Sequence, residues 1–242
     1  MVFEVWGQTD VGLKREINQD SILVDENISL FIVADGMGGH KGGEVASAMA
    51  VESVQEIVEQ QLNVAGPVSP RDILKNAYRE ASKRIYTKST RENPELMGMG
   101  TTMVLALEHK NKLYIANVGD SRAYLFKDNN LWQITEDHSL INEQIRAGIL
   151  QAEDPEAMVG RNVITRSVGF EEEVNVDIVE RMVEPGELFL LCSDGLCGLV
   201  SNELIAELCR KNSPAEIVSK GIEAAKAAGG DDNISVIVFK AK

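Results

Sequence analysis

Leu30-Phe31-Ile32-Val33-Ala34-Asp35-Gly36-Met37-Gly38-Gly39-His40 is the stretch on which the fold turns. Five apolar residues in a row read as a buried strand, and the carboxylate that follows stands at the strand end beside a glycine turn. The same arrangement recurs twice: Leu113 to Val118 lead into Gly119-Asp120-Ser121-Arg122, and Leu188 to Cys192 lead into Ser193-Asp194-Gly195. Asn18-Gln19-Asp20 and Gly229-Gly230-Asp231-Asp232-Asn233 are further short acidic clusters. Carboxylates gathered at strand ends repel one another and lose hydration unless cations neutralise them. The expectation is a metal site built of oxygen ligands.

Working outward, Val2 to Gly7, Ser21 to Asp25 and Ser29 to Ala34 read as three strands joined by short polar turns. A helix is expected over Gly43 to Gln61, and a second from Ser69-Pro70, a cap followed by proline, to about Thr90. Thr101 to Leu107, Lys112 to Val118, Ala123 to Lys127 and Leu131 to Ile134 form a meander with turn signals at Lys110-Asn111 and Asp128-Asn129-Asn130. The pattern loosens from Asp137 to roughly residue 170, with a short helix near Leu140 to Ala147, and this stretch reads as a flap. Strands at Val174 to Val179 and Leu188 to Cys192, helices at Asn202 to Lys211 and Pro214 to Ala228, and a strand at Ile234 to Phe239 complete the order. Strands in meanders with helices paired between them imply a layered α+β fold with antiparallel sheets, in a single domain over residues 1–242.

Composition sets outer limits. The 242 residues are 44% hydrophobic and 26% charged, ordinary for a soluble globular chain. No apolar stretch reaches the ~20 residues that span a bilayer, and the N-terminus lacks a signal-like pattern, so the expected place is the cytoplasm with no membrane contact. Cys192, Cys197 and Cys209 form no Cys-x-x-Cys pair and read as free core thiols. A formal charge of −14 disfavours nucleic acid and makes any phosphate chemistry depend on cations.

Aspartate and carbonyl oxygens are hard ligands that suit Mg2+ or Mn2+ better than zinc or copper. Two such cations ~3.5–4 Å apart can share a water and orient it for in-line attack on phosphorus. Asp35 is the candidate bridging carboxylate, with Gly36 letting the backbone turn its carbonyl towards a metal. Arg15, just before Asn18-Gln19-Asp20, is placed to hold a phosphate monoester bidentately.

Taken in order, Arg15 to Asp20, Asp35 to His40, Gly100-Thr101-Thr102, Gly119 to Arg122, Ser193-Asp194-Gly195 and Asp232-Asn233-Ile234-Ser235 resemble the motifs of bacterial metal-dependent serine/threonine protein phosphatases of type 2C, the PPM family. The resemblance spans almost the whole chain. It implies a four-layer αββα sandwich, two central antiparallel sheets flanked by antiparallel helix pairs, with a flap. It also implies hydrolysis of phosphoserine and phosphothreonine by a water or hydroxide bridging two metals, without a phosphoenzyme. By this resemblance Asp35, Asp194 and Asp232 hold one metal, Asp35 and the Gly36 carbonyl hold the second, and Asp20 acts through metal-bound water. Asp120 and Asp194 match a third, weaker site near the flap. Asp232 is preferred over Asp231 because the pattern puts the ligand immediately before Asn.

Animal members carry a histidine two residues after the bridging aspartate, where Met37 stands here; His40 is the alternative proton donor, with metal-bound water and a plain loop histidine as competing readings. Thr102 and Asn233 are assigned, with Arg15, to the substrate side. Asp120-Ser121-Arg122 also reads as a turn with an internal salt bridge, His138 as a helix cap or cleft residue, and Arg166 as a phosphate contact or a solvated side chain. The expected partners are phosphoproteins, with a serine/threonine kinase as counterpart, and the expected state is a monomer. A regulatory module without turnover and a hydrolase of small phosphate esters are the rivals.

Overall fold

The computed structural model describes residues 2–64, 66–151, 154 and 163–242, apart from the side chains of His40 and Lys41. Part of the expected flap, including residues 155–162, therefore lies outside the described residues.

Among the described residues, eleven strands form two antiparallel sheets. In the first, β1 (Phe3–Asp10), β11 (Ile234–Ala241), β10 (Leu188–Cys192), β7 (Arg122–Lys127) and β8 (Asn130–Gln133) lie side by side. In the second the order is β2 (Asp20–Asp25), β3 (Leu30–Met37), β5 (Met103–His109), β6 (Lys112–Val118) and β9 (Asp177–Met182), with the two-residue β4 (Gly100–Thr101) on the end of β3. Helices α1 (Gly39–Leu62) and α2 (Pro70–Thr87) cover the second sheet, and α5 (Asn202–Lys211) and α6 (Pro214–Ala227) cover the first. Two short helices are α3 (Leu140–Arg146), within the stretch expected to be the flap, and α4 (Asp194–Cys197), directly after β10. This is the αββα sandwich.

Strand alternation explains the layers. On β3, Leu30, Ile32 and Ala34 face the helices, while Phe31 and Val33 face the opposite sheet. On β10, Leu188, Leu190 and Cys192 face α5 and α6, while Phe189 and Leu191 face inward. The space between the sheets is filled by an aromatic group in which Phe31 and Phe239 lie 4.7 Å apart and Phe189 and Phe239 stack at 5.2 Å. Burial on both faces is why these strands read as continuous apolar runs. The hairpin turns fall where expected, with Lys110-Asn111 and Asp128-Asn129 all at positive φ, as two-residue turns between twisted strands require.

Several elements depart from expectation. β1 runs to Asp10, because Gln8, Thr9 and Asp10 keep their register against Val236, Ser235 and Ile234. α1 starts at Gly39 rather than Gly43. The strand expected at Val174 to Val179 lies at Asp177–Met182, the exposed edge of its sheet, where burial gives little pattern to read. α4 was not expected.

Candidate active site and metal centre

The alternation that layers the core also delivers the acids. Ile22 and Val24 of β2 face the inter-sheet space, so Asp20, two residues before Ile22, points the same way. Asp35 continues the parity of Phe31 and Val33, and Asp20 and Asp35 are directly opposed in the β2–β3 register. Ser193 and Ser235 continue the inward parity of β10 and β11. One end of the inter-sheet core is thus polar and acidic.

Two glycines bring the loops together. A Cβ on Gly36 would lie 2.0 Å from the Gly43 carbonyl oxygen, so only glycine lets β3 and the first turn of α1 approach this closely. A Cβ on Gly195 would lie 1.9 Å from the Asn233 carbonyl oxygen, which locks the start of α4 against the Asp232-Asn233 loop.

Asp20 is buried, and its Oδ2 accepts a hydrogen bond from the Ser193 hydroxyl at 2.8 Å. Ser193 in turn accepts from the Ser235 backbone N–H at 3.0 Å. Burial first, then repulsion from Asp194 and Asp232, pushes the Asp20 carboxyl up to about 7 against the hydrogen bonds that lower it. Asp35 is raised well above the carboxylate range, first by burial and then by Asp20, Asp194, Asp120 and Asp232. Asp194 is raised by burial and by Asp232, with a hydrogen bond shared with Asp35 and the nearby Arg15 charge opposing the shift. Asp120 is pushed up to about 7 by burial, then by Asp194 and Asp137. Arg15 donates to Asp232 Oδ2 at 2.7 Å, and this contact raises its own pKa. Asp231 pairs instead with Lys14 at 2.5 Å, so the two adjacent acids have different basic partners.

Among the described residues, Asp20 Oδ1 and Asp194 Oδ1 are buried without a hydrogen-bond partner. Buried carboxylate oxygens that lack donors are costly. An all-oxygen set of this kind fits a hard divalent cation. Among the described residues no three carboxylate, imidazole or thiol groups close on one point as a finished cage, so such a cation would need backbone carbonyl or water oxygens as well.

The polar atoms of Thr102 and Asn233, both assigned to the substrate side from sequence, are engaged within the protein. The Thr102 hydroxyl is enclosed, 2.7 Å from the Ser121 hydroxyl, and accepts from the Asp35 N–H at 3.3 Å, so it supports the Asp35 backbone. Asn233 is 3% exposed; its amide donates to Val11 and Ile17 carbonyls at 2.9 and 3.1 Å and accepts from Gln19 N–H at 2.7 Å. It clamps both ends of the loop that carries Arg15. The internal salt bridge expected within Asp120-Ser121-Arg122 is also absent: Arg122 is clamped by Asp137, with Nη2 at 2.7 Å from Oδ2. Arg166 pairs with Asp177 at 2.8 Å and with the Asn175 carbonyl. His40 lies in α1, with its side chain outside the described residues.

His138 has a larger part than its sequence signal allowed. Its Nδ1 accepts from the Gly119 N–H at 3.0 Å, which puts the ring proton on Nε2, 3.1 Å from Asp177 Oδ2. Burial lowers its pKa against the pull of Asp177, so the ring is neutral and the tautomer fixed. Its backbone bonds Gly119 on one side and Thr165 on the other. The Gly119-Asp120 turn and Thr165 are therefore tied through one residue, while Ser139, not His138, caps α3.

The model of the protein phosphatase 2C family matches residues 13–226. The chain belongs to this family. It is a metal-dependent phosphoprotein phosphatase of the serine/threonine type. It is 38% identical over 237 residues to the serine/threonine phosphatase stp of Listeria welshimeri, covering 96% of this chain and 94% of that protein. The protein phosphatase PhpP of Streptococcus pneumoniae is 37% identical over 234 residues, covering 94% of this chain and 93% of the relative. Among solved structures, the Mycobacterium tuberculosis phosphatase PstP/Ppp superposes with a TM-score of 0.91 at 33% identity, covering 100% of both chains. A catalytic domain of PstP in complex with two manganese ions superposes at 0.87 and 34% identity, covering 99% of this chain and 98% of that one.

Proposed function

We propose that the acidic end of the inter-sheet core is a two-cation centre for hydrolysis of phosphoserine and phosphothreonine. Asp35, Asp194 and Asp232 would hold one Mg2+ or Mn2+, Asp35 and the Gly36 carbonyl the other, and Asp20 would act through ordered water. Asp120 and Asp194 would serve a weaker third position. When bound, the cations supply Lewis acidity that offsets phosphoryl charge and lowers the pKa of water.

The residues of the chain do the rest. The Arg15 guanidinium, about half exposed at the rim, presents a planar fork to the phosphate oxygens and lies between that anion and Asp232. Asn233 fixes the Arg15 loop, and Thr102 fixes the strand that carries Asp35. His40 or water protonates the departing seryl or threonyl oxygen. The observation that carries this reading is the convergence of Asp20, Asp35 and Asp194, all raised by burial and mutual repulsion, with Arg15 beside them. The manganese held by a relative of the same fold supports it.

The flap over roughly 137–170 and the rest of the chain form a single phosphatase domain in this reading, working as a monomer against a serine/threonine kinase. Three free thiols agree with a reducing cytoplasm, and among the described residues no helix is long and apolar enough to cross a membrane. Calorimetric titration with Mn2+ tests the centre: wild type should bind at least two ions per chain and Asp35→Asn should lose them. Equal binding by the two proteins refutes the assignment.

A further inference from the structure

A cavity of about 300 Å³ opens beside Met37 and runs under the flap segment. Met37 lies two residues beyond Asp35 on β3, so it shares the face of Asp35 at ~7 Å along the strand. Met37, Ile164, Phe170 and Val174 give the lining an apolar part, Thr165, Ser167 and Asn175 a neutral polar one, and Glu171 and Glu173 line it as well. Phe170 is 60% exposed, an unusual cost for a large aromatic side chain beside a reaction centre. Arg166 also lines the cavity, but its guanidinium is engaged by Asp177 and by the Asn175 carbonyl. Among the described residues neither Glu171 nor Glu173 has a salt-bridge partner, although Glu173 also borders a depression lined by Arg79 and Lys83. The unpaired charge lining the cavity is therefore negative, beside the apolar side chains of Met37, Ile164, Phe170 and Val174.

We propose that this cavity is a substrate subsite for a lysine or arginine side chain within two residues of the phosphorylated residue. This rests on the reaction centre proposed above. A long basic side chain matches both features: its methylene stem packs on Met37, Ile164 and Phe170 while its cationic end reaches the glutamates. An acidic side chain meets repulsion from the same glutamates and from a chain of net charge −14. An extended peptide advances ~3.3 Å per residue, so two residues cover the distance from Asp35 to Met37.

The test uses two phosphothreonine peptides that differ only in a Lys or a Glu two residues from the phosphothreonine. Hydrolysis with Mn2+ is followed for wild type, Glu171→Gln/Glu173→Gln and Phe170→Ala, and each kcat/KM is divided by that on p-nitrophenyl phosphate, which is too small to reach the cavity. Binding of the same peptides is followed in parallel by fluorescence anisotropy. Wild type should favour the Lys peptide by about five-fold, carried in KM, as expected for partly exposed charge pairs. The double glutamine variant should lose this preference, and Phe170→Ala should raise KM for the Lys peptide. Equal use of the two peptides by wild type, or a preference that survives in the double variant, overturns the subsite while leaving the phosphatase intact. Lys-selective binding without hydrolysis of any substrate would uphold the subsite and sink the reaction centre; no selectivity in either assay overturns the subsite.

Discussion

Gly36→Ala is the substitution on which the local geometry speaks most directly. The added methyl would meet the Gly43 carbonyl oxygen at 2.0 Å, its carbon at 2.4 Å and the Gln19 carbonyl oxygen at 2.6 Å, all backbone atoms that cannot rotate aside. Real Cβ contacts stop near 3.0 Å, so β3 and the first turn of α1 must separate by about 1 Å. The Gly36 N–H bond to the Gln19 carbonyl, 3.1 Å, is strained by the same movement. Overpacking of this kind costs about 3 kcal/mol. For a chain of 242 residues that lowers Tm by about 6–12 °C. Because Asp35 and the Gly36 carbonyl are carried on the displaced strand, a 1 Å shift should also cost about 100-fold in kcat. Differential scanning calorimetry and phosphate release at saturating Mn2+ measure the two effects. Gly221→Ala is the control: it sits inside α6, its methyl would meet only Leu196 Cδ1 at 3.4 Å, and it should stabilise by about 0.5–1 kcal/mol. A Gly36→Ala protein with wild-type Tm and turnover would refute the close-approach argument.

Three further outcomes are expected. Arg15→Ala should raise KM for a phosphopeptide at least ten-fold with a smaller change in kcat, since it removes phosphate binding and leaves the carboxylates in place; an unchanged KM in steady-state kinetics rejects the role. In EDTA the protein should lose stability as pH rises from about 4 to 7: the raised Asp20 and Asp120 bind protons more tightly folded than unfolded, so their contribution is fullest below the unfolded value and declines through the window, by up to about 4 kcal/mol for one such group, and urea midpoints at pH 5 and 8 would contradict this if the second were higher. His138→Ala should lower stability by about 2 kcal/mol, because the buried Gly119 N–H loses its acceptor, while Asp177 keeps Arg166 as a donor; a Tm within 2 °C of wild type in thermal denaturation would argue against that link.

Much of this was legible in the chain because the apolar runs and the acids belong to the same strands. Leu30 to Ala34, Leu113 to Val118 and Leu188 to Cys192 are buried on both faces, so they announce themselves without alternation, and each leads directly to Asp35, Asp120 or Asp194. Alternation within the runs held one more signal, since the inward parity of Ile22 and Val24 and of Phe31 and Val33 already aims Asp20 and Asp35 at one space. What stayed hidden depends on partners distant in sequence. Gly39 to Gly42 precede the helix expected from Gly43, yet they belong to it, and Gly42 lies close against Met99, far away in sequence. Nothing near Thr102 or Asn233 in sequence names Ser121, Val11 or Ile17 as the partners of their polar atoms. Nothing near Arg122 in sequence names Asp137 as its clamp, and nothing near His138 names Gly119 or Asp177.

The most direct test of the account is release of inorganic phosphate from a phosphothreonine peptide by the purified protein, with Mn2+ and with EDTA, beside Asp194→Asn. The account predicts release that needs Mn2+ and is lost in the variant, whose remaining oxygens no longer supply the buried carboxylate. Release in EDTA, or wild-type release by Asp194→Asn at saturating Mn2+, would contradict it.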